Sequence, residues 1–215
     1  MSNDKLVEYV QDELFWDPKV DNVAIAVSAD DGKITLRGTL GSLREKLEAK
    51  KAAKRVVGVK SVDNELEVKF MNDENRNDAD LRGDVLQALM LNSFVPSTID
   101  ARVDDGFVTL TGTADWQYQR DEAVYVASSV AGAVNIFDDI TLKPQPSAGD
   151  VKDRIEDAFE RNAKLDAKLL SVSTSNGTVT IKGDVNSWAE HDEAVAAAWS
   201  APGVTKVDDR IAVEY

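Results

Sequence analysis

One eight-residue pattern occurs three times in this chain of 215 residues, and it restricts the fold more than any other feature. "DGKITLRG" (31–38), "DGFVTLTG" (105–112) and "NGTVTIKG" (176–183) all read Asp/Asn-Gly-x-Ile/Val-Thr-Leu/Ile-x-Gly. The leading glycines Gly32, Gly106 and Gly177 are 74 and then 71 residues apart. The same two offsets relate Gly38, Gly112 and Gly183, then Gly58, Gly132 and Gly203, then Leu66, Ile140 and Ile211. Four markers that keep register from Gly32 to Leu66 and twice more define an array of one repeated unit.

Each copy has the same internal order. A helical segment comes first: "DKLVEYVQDELFW", "DLRGDVLQALMLN" or "DVKDRIEDAFERN". In the last, Val151, Ile155, Ala158 and Phe159 fall on one face of a helix. Two strands follow around Asp-Gly or Asn-Gly, dipeptides that suit two-residue hairpin turns because such turns need positive φ. Val23, Ile25 and Val27 alternate before the first turn, and Ile34 and Leu36 after it. Gly38, Gly112 and Gly183 are expected to close the second strand. A second helix is marked by Ala49, Ala53 and Val56, by Ala123, Ala127 and Val130, and by Ala194, Ala198 and Ala201. Gly58, Gly132 and Gly203 are expected to stop it as C-caps. A third strand ends each copy, as "ELEVKF", "DITLKP" and "RIAVEY". The expected fold class is α+β: three tandem α-β-β-α-β modules, each a small three-stranded mixed sheet covered by two helices. They span 1–70, 80–143 and 149–215, joined by 71–79, charged and rich in Asn, and by 143–149, rich in Pro.

Composition narrows the chemistry. Cysteine is absent, which removes disulfides, thiolate nucleophiles and Cys-ligated metals. His191 is the only histidine, and its counterparts in the other copies are Lys46 and Arg120, so it reads as a solvated helix residue. The acid pairs Asp30-Asp31, Asp104-Asp105, Asp138-Asp139 and Asp208-Asp209 lack the spacing of a calcium loop and read as turn formers. No catalytic residue, metal site or cofactor is expected. A net charge of −14 disfavours nucleic acid as a partner. Residues 1–70 depart from that balance, with 12 basic and 13 acidic side chains. No run approaches the roughly 18 apolar residues of a membrane-spanning helix, and the polar start does not read as a signal peptide. The expected location is the cytoplasm, or the periplasm if a signal has been removed.

The copies differ on the outer face of the second helix, at 100° per residue. The first carries Arg44, Lys50, Lys51, Lys54 and Arg55 with Leu43 and Leu47 between them; the second carries Tyr118 and Tyr125; the third carries Trp188, Val195 and Trp199. Just before this helix the second copy has Trp116 where the others have Ser42 and Ser187. Two readings stand. Either these side chains are packed against a neighbouring module or solvated, or they form a lipid or partner surface on which basic groups meet headgroups and aromatics meet apolar chains or another subunit.

The hairpin motif, the Ala-rich helix and the endings "GVKSVDNEL", "GAVNIFDDI" and "GVTKVDDRI" together resemble the BON (bacterial OsmY and nodulation) domain family over nearly the whole chain. The resemblance implies a bacterial, non-enzymatic protein that binds phospholipid or envelope components and is linked to osmotic or envelope stress. The alternative is a structural stress protein that assembles with copies of itself and takes no small ligand.

Overall fold

A computed structural model describes residues 1–69, 77–144, 151–166 and 169–215. The first module is α1 (Asn3–Trp16), β1 (Ile25–Asp30), β2 (Lys33–Leu40), α2 (Leu43–Lys54) and β3 (Ser61–Val68). The second is α3 (Asp78–Leu91), β4 (Asp100–Asp104), β5 (Phe107–Ala114), α4 (Gln117–Ser128) and β6 (Asn135–Leu142). The third is α5 (Val151–Arg161), β7 (Leu170–Ser175), β8 (Thr178–Val185), α6 (Trp188–Trp199) and β9 (Lys206–Val213). The expected α+β order is therefore present three times. The joining segments fall mostly on 70–76 and 145–150, which lie outside the described residues. Asn77 already caps α3, its side chain accepting from the Asp80 N–H at 2.8 Å.

Each sheet places the hairpin's second strand in the middle. In the first and third modules the hairpin pair is antiparallel and the last strand runs parallel to the middle one. A parallel partner has to be reached by a crossover, and the second helix is that crossover. The hairpin turns have the geometry their dipeptides ask for: φ is +44° and +84° at Asp31-Gly32, +53° and +78° at Asp105-Gly106, and +47° and +76° at Asn176-Gly177. Alternate residues of the middle strand, such as Ile34 and Leu36 or Val179 and Ile181, go into the core, where they meet Val10 and Leu14 or Ile155 and Phe159 of the first helix. Ala49 and Ala53, Ala123 and Ala127, and Ala194 and Ala198 of the second helices are buried, and their small size brings the helix close to the sheet.

Two glycine roles differ from expectation. Gly38, Gly112 and Gly183 do not end their strands, which run on for two residues. They sit where the chain entering the first strand crosses closest: a Cβ on Gly38 would lie 1.8 Å from the Ala24 carbonyl oxygen, and Thr98 and Leu169 occupy the same place against Gly112 and Gly183. Gly58, Gly132 and Gly203 do not cap the second helix, since α2, α4 and α6 end four residues earlier. The helix ends first because its last carbonyls are already taken by tighter bonds, as from Arg55 N–H to Ala52 and Val56 N–H to Ala53. These glycines instead lie in a turn packed on the hairpin, beside the bonds from Lys60, Val134 and Thr205 N–H to the carbonyls of Gly32, Gly106 and Gly177. The repeat spacing read from the sequence is thus a physical contact between two turns.

The acid pairs also divide. Asp31 and Asp105 occupy hairpin turns, but Asp138, Asp139, Asp208 and Asp209 lie within β6 and β9. Three of them have partners that hold them in the strand: Arg120 for Asp138, Arg210 for Asp208 and His191 for Asp209.

The chain forms two compact units, Met1–Ala114 with Tyr118–Thr141, and Asp115–Gln117 with Leu142–Tyr215. Gly83 marks an easy gain in the first. It is exposed inside α3, with nothing within 4 Å of the place that a methyl group would take. Gly83→Ala is expected to stabilise the protein by about 0.5–1 kcal/mol in urea unfolding. A loss of stability would show that α3 needs the glycine for another reason.

Candidate interaction surface

The basic arc of α2 is built around an acid. Glu48 is buried in mid-helix, and Arg44 approaches its Oε1 to 2.7 Å without the alignment of a hydrogen bond. Lys51 and Lys19 approach the same carboxylate at 3.5 Å. The Arg44 guanidinium carbon also lies 3.6 Å from the centre of the Tyr125 ring on α4, so these two predicted surface residues meet one another inside the first unit. Leu43, expected between the basic groups on the surface, is buried. Leu47, Lys50 and Lys54 are half-buried.

Arg55 turns toward α1 instead of outward. Its Nε donates to Glu13 at 2.6 Å and its Nη2 to Asp17 at 2.7 Å. Asp17 is buried and also accepts the Lys19 N–H. The hydrogen bond from Arg55, helped by that N–H, holds the Asp17 carboxyl below its ordinary pKa. Arg44, Lys51 and Arg55 are therefore each committed to an acid of their own module. A helical projection shows which residues share a face, but not that Glu13, Asp17 and Glu48 will neutralise them.

The position of Glu48 recurs in the other modules. Glu122 accepts from the Asn92 amide at 2.7 Å, and Glu193 accepts from Asn162 at 3.0 Å and from Lys164. These acids tie the second helix to the loop that follows the first helix. That loop is fixed in turn by Asp17, Asn92 and Asn162, whose side-chain oxygens accept from the backbone N–H two residues on.

The aromatic candidates have separate surroundings. Tyr118 and Tyr125 are exposed, and Tyr118 meets Phe94 edge-to-face at 6.4 Å. Trp188 and Trp199 are half-buried: Trp199 rests on the core of its own module, and Trp188 lies edge-on to His191 at 4.7 Å. His191 is not the solvated residue the sequence suggested. Its side chain is only 12% exposed, and each ring nitrogen meets a carboxylate. Trp116 is half-buried directly before α4. Its counterparts Ser42 and Ser187 are N-caps, accepting from Glu45 and Glu190 N–H at 3.2 and 3.1 Å. An indole has no acceptor and cannot take that role, so the second module has a large apolar side chain where the other two have a capping hydroxyl.

Among the described residues, the largest exposed apolar groups lie elsewhere. At the end of α1 Phe15 and Trp16 are 69% and 78% exposed, and they touch edge-to-face at 6.2 Å. At the same two positions of α3, just after the buried Leu14 and Leu89, Met90 and Leu91 are 77% and 75% exposed. Phe94, two residues after Asn92, adds to this second tip, and Val23 stands exposed in the loop after α1. In the third module the matching positions, after Phe159, hold Glu160 and Arg161, and Lys164 replaces Phe94. The signal was present in the sequence, since these residues fall off the Leu6, Val10, Leu14 stripe.

Among the described residues no group of three or more His, Asp or Glu could hold a metal ion, and no helix is long and apolar enough to cross a membrane.

A BON domain profile matches residues 2–69, 77–144 and 147–215. Osmotically-inducible protein Y of Escherichia coli (strain K12) is 29% identical over 148 residues, covering 66% of this chain and 74% of that protein. CdsD, a structural protein of the type III secretion system of Chlamydia trachomatis, aligns over 98% of this chain and 92% of its own at 15% identity and a TM-score of 0.28. The PrgH periplasmic domain aligns over 95% of this chain and 99% of its own at 11% identity and a TM-score of 0.23. With one profile match for each α-β-β-α-β module, the chain belongs to the BON domain family.

Proposed function

We propose that this protein is a non-enzymatic binding protein of osmotic or envelope stress that docks on phospholipid through the helix ends of its first two modules. The exposed apolar tips carry this reading: Phe15 with Trp16 on α1, and Met90, Leu91 and Phe94 around the end of α3. Such side chains in water are unfavourable unless something covers them, and groups of them mark interaction sites. Tryptophan and phenylalanine suit the boundary between headgroups and acyl chains, where a ring can leave water without stranding a polar atom. Charge does not supply the attraction, because the net charge is −14 and Arg44, Lys51 and Arg55 are already ion-paired. The relationship to osmotically-inducible protein Y supports the link to osmotic stress.

Co-sedimentation with phosphatidylcholine vesicles tests the proposal. Phe15→Ser with Trp16→Ser is expected to weaken binding about tenfold. Reversal of Lys50, Lys51 and Lys54 to Glu is expected to leave it unchanged. If the lysine variant loses binding and the tip variant keeps it, the headgroup surface on α2 replaces the tips.

Self-assembly is favoured by a different observation. On the open face of the second sheet Phe107 and Phe137 stack at 6.0 Å, where the first module has an ion pair between Lys33 and Asp63. Concentration-dependent light scattering abolished by Phe107→Lys, with no vesicle binding, would decide for that reading.

A further inference from the structure

The side of the third strand that faces the helices carries one polar residue in an apolar row. It is Asn64 between Val62 and Leu66, Asp138 between Ile136 and Ile140, and Asp209 between Val207 and Ile211. Each engages the same position of the second helix, and the three links differ in kind. The Asn64 amide donates to the Lys46 backbone carbonyl at 2.8 Å, a bond indifferent to pH near neutrality. Arg120 Nε donates to Asp138 at 2.6 Å, and a guanidinium stays charged. The third link uses an imidazole. His191 Nε2 lies 2.8 Å from Asp209 Oδ2 on β9, and Nδ1 lies 3.0 Å from Asp192 Oδ1 on its own helix.

A neutral imidazole has one N–H, so it can donate to only one of two carboxylates; the imidazolium donates to both. We propose that His191 is an acid-closed clasp between α6 and β9, the titratable version of a link that the other two modules keep permanent. Protonated, it donates to Asp209 on the strand and to Asp192 on the helix at once; neutral, it can donate to only one of them, so the tie to the strand is assured only in the charged form.

The surroundings leave these two acids as its charged partners among the described residues. On the α5 side, Asn162 and Lys164 are taken by Glu193, and Glu190 accepts from the Asp166 N–H. Lys182 and Asp184 of β8 alternate with the buried Ile181 and Val185, so they point to the opposite face. Asp208 is paired with Arg210 on that face as well. The hydrogen bond with Asp192, opposed by burial and reinforced by the charge of Asp209, holds the His191 pKa above its ordinary 6.5. A raised folded pKa gives stability that is complete below the ordinary value and lost as pH rises through the folded one.

His191 is the sole histidine, so its ring resonances in the full-length protein can be followed by NMR without assignment. The ring is expected to titrate above 6.5, and Asp209→Asn is expected to lower that value. Thermal unfolding between about pH 5 and 8 gives the second readout. The wild type is expected to lose Tm as pH rises, whereas His191→Arg, which copies the second module, stays flat across the range. His191→Gln cannot titrate and should also be flat, so the comparison survives if the arginine variant fails to fold. A ring that titrates at or below 6.5, or a wild type whose profile parallels both variants, overturns the clasp.

Discussion

Gly38→Ala is expected to lower the stability of this protein by about 4 kcal/mol, read as a shift of the urea midpoint with little change in slope. Two costs combine. The residue holds φ at +137°, a region L side chains rarely enter, and its Cβ would lie 1.8 Å from the Ala24 carbonyl oxygen. That oxygen belongs to backbone leading directly into β1, so relief requires moving β1 against β2, with Ile25 opposite Gly38 as the first pair disturbed. A flexible side chain could swing away from the new methyl, but a paired strand cannot. Gly112→Ala and Gly183→Ala should behave alike, since Thr98 and Leu169 place their carbonyl oxygens 2.2 and 2.0 Å from the same point. A change below about 1 kcal/mol at Gly38 would mean that the strands do not approach as described.

Arg55→Ala is expected to cost about 2–3 kcal/mol, much more than removal of an exposed cation. The substitution strips Asp17 of its charged donor and leaves a buried carboxylate with the Lys19 N–H as its one remaining hydrogen-bond donor among the described residues. It also cuts the link from the end of α2 to Glu13 on α1. Because Arg55 holds the Asp17 pKa below its ordinary value, the stabilisation is complete above that value, and it fades as pH falls through the lower folded pKa. The difference between wild type and variant should thus be full at neutral pH and shrink below about pH 4. Arg55→Lys should recover only part, since an ammonium does not reproduce the fork that reaches both acids. If Arg55→Ala leaves stability intact and weakens vesicle binding, Arg55 is a surface ligand and not a brace.

The two variants mark where sequence reasoning ran short. Glycine at positions 38, 112 and 183 was visible as a repeat, yet its purpose was not. A strand end and a close crossing both ask for glycine, and only the position of the Ala24 carbonyl separates them. Arg55 was visible as one member of a basic arc, but a projection of one helix contains neither α1 nor its acids. His191 looked solvated for the same reason, as Asp209 comes from a strand 18 residues away in sequence. The apolar tips were legible in principle, since Phe15 and Met90 break the helical stripe. Single apolar residues off a stripe are ordinary on helices, however, and only the structure shows Phe15 and Trp16 together in solvent.

By itself the sequence determined the module, its three copies and its order of elements, because turn dipeptides, alternation and helical spacing act over a few residues and are written locally. Repetition then raised each weak local signal to a strong one. Tertiary structure alone decided which charges are engaged and which apolar groups are covered. Leu43 and Glu48 are buried, Arg44 lies over Tyr125, and Phe15 and Trp16 face solvent. The reason is physical: burial and ion pairing depend on distances between residues remote in the chain, and those distances exist only once the helices have closed over the sheet.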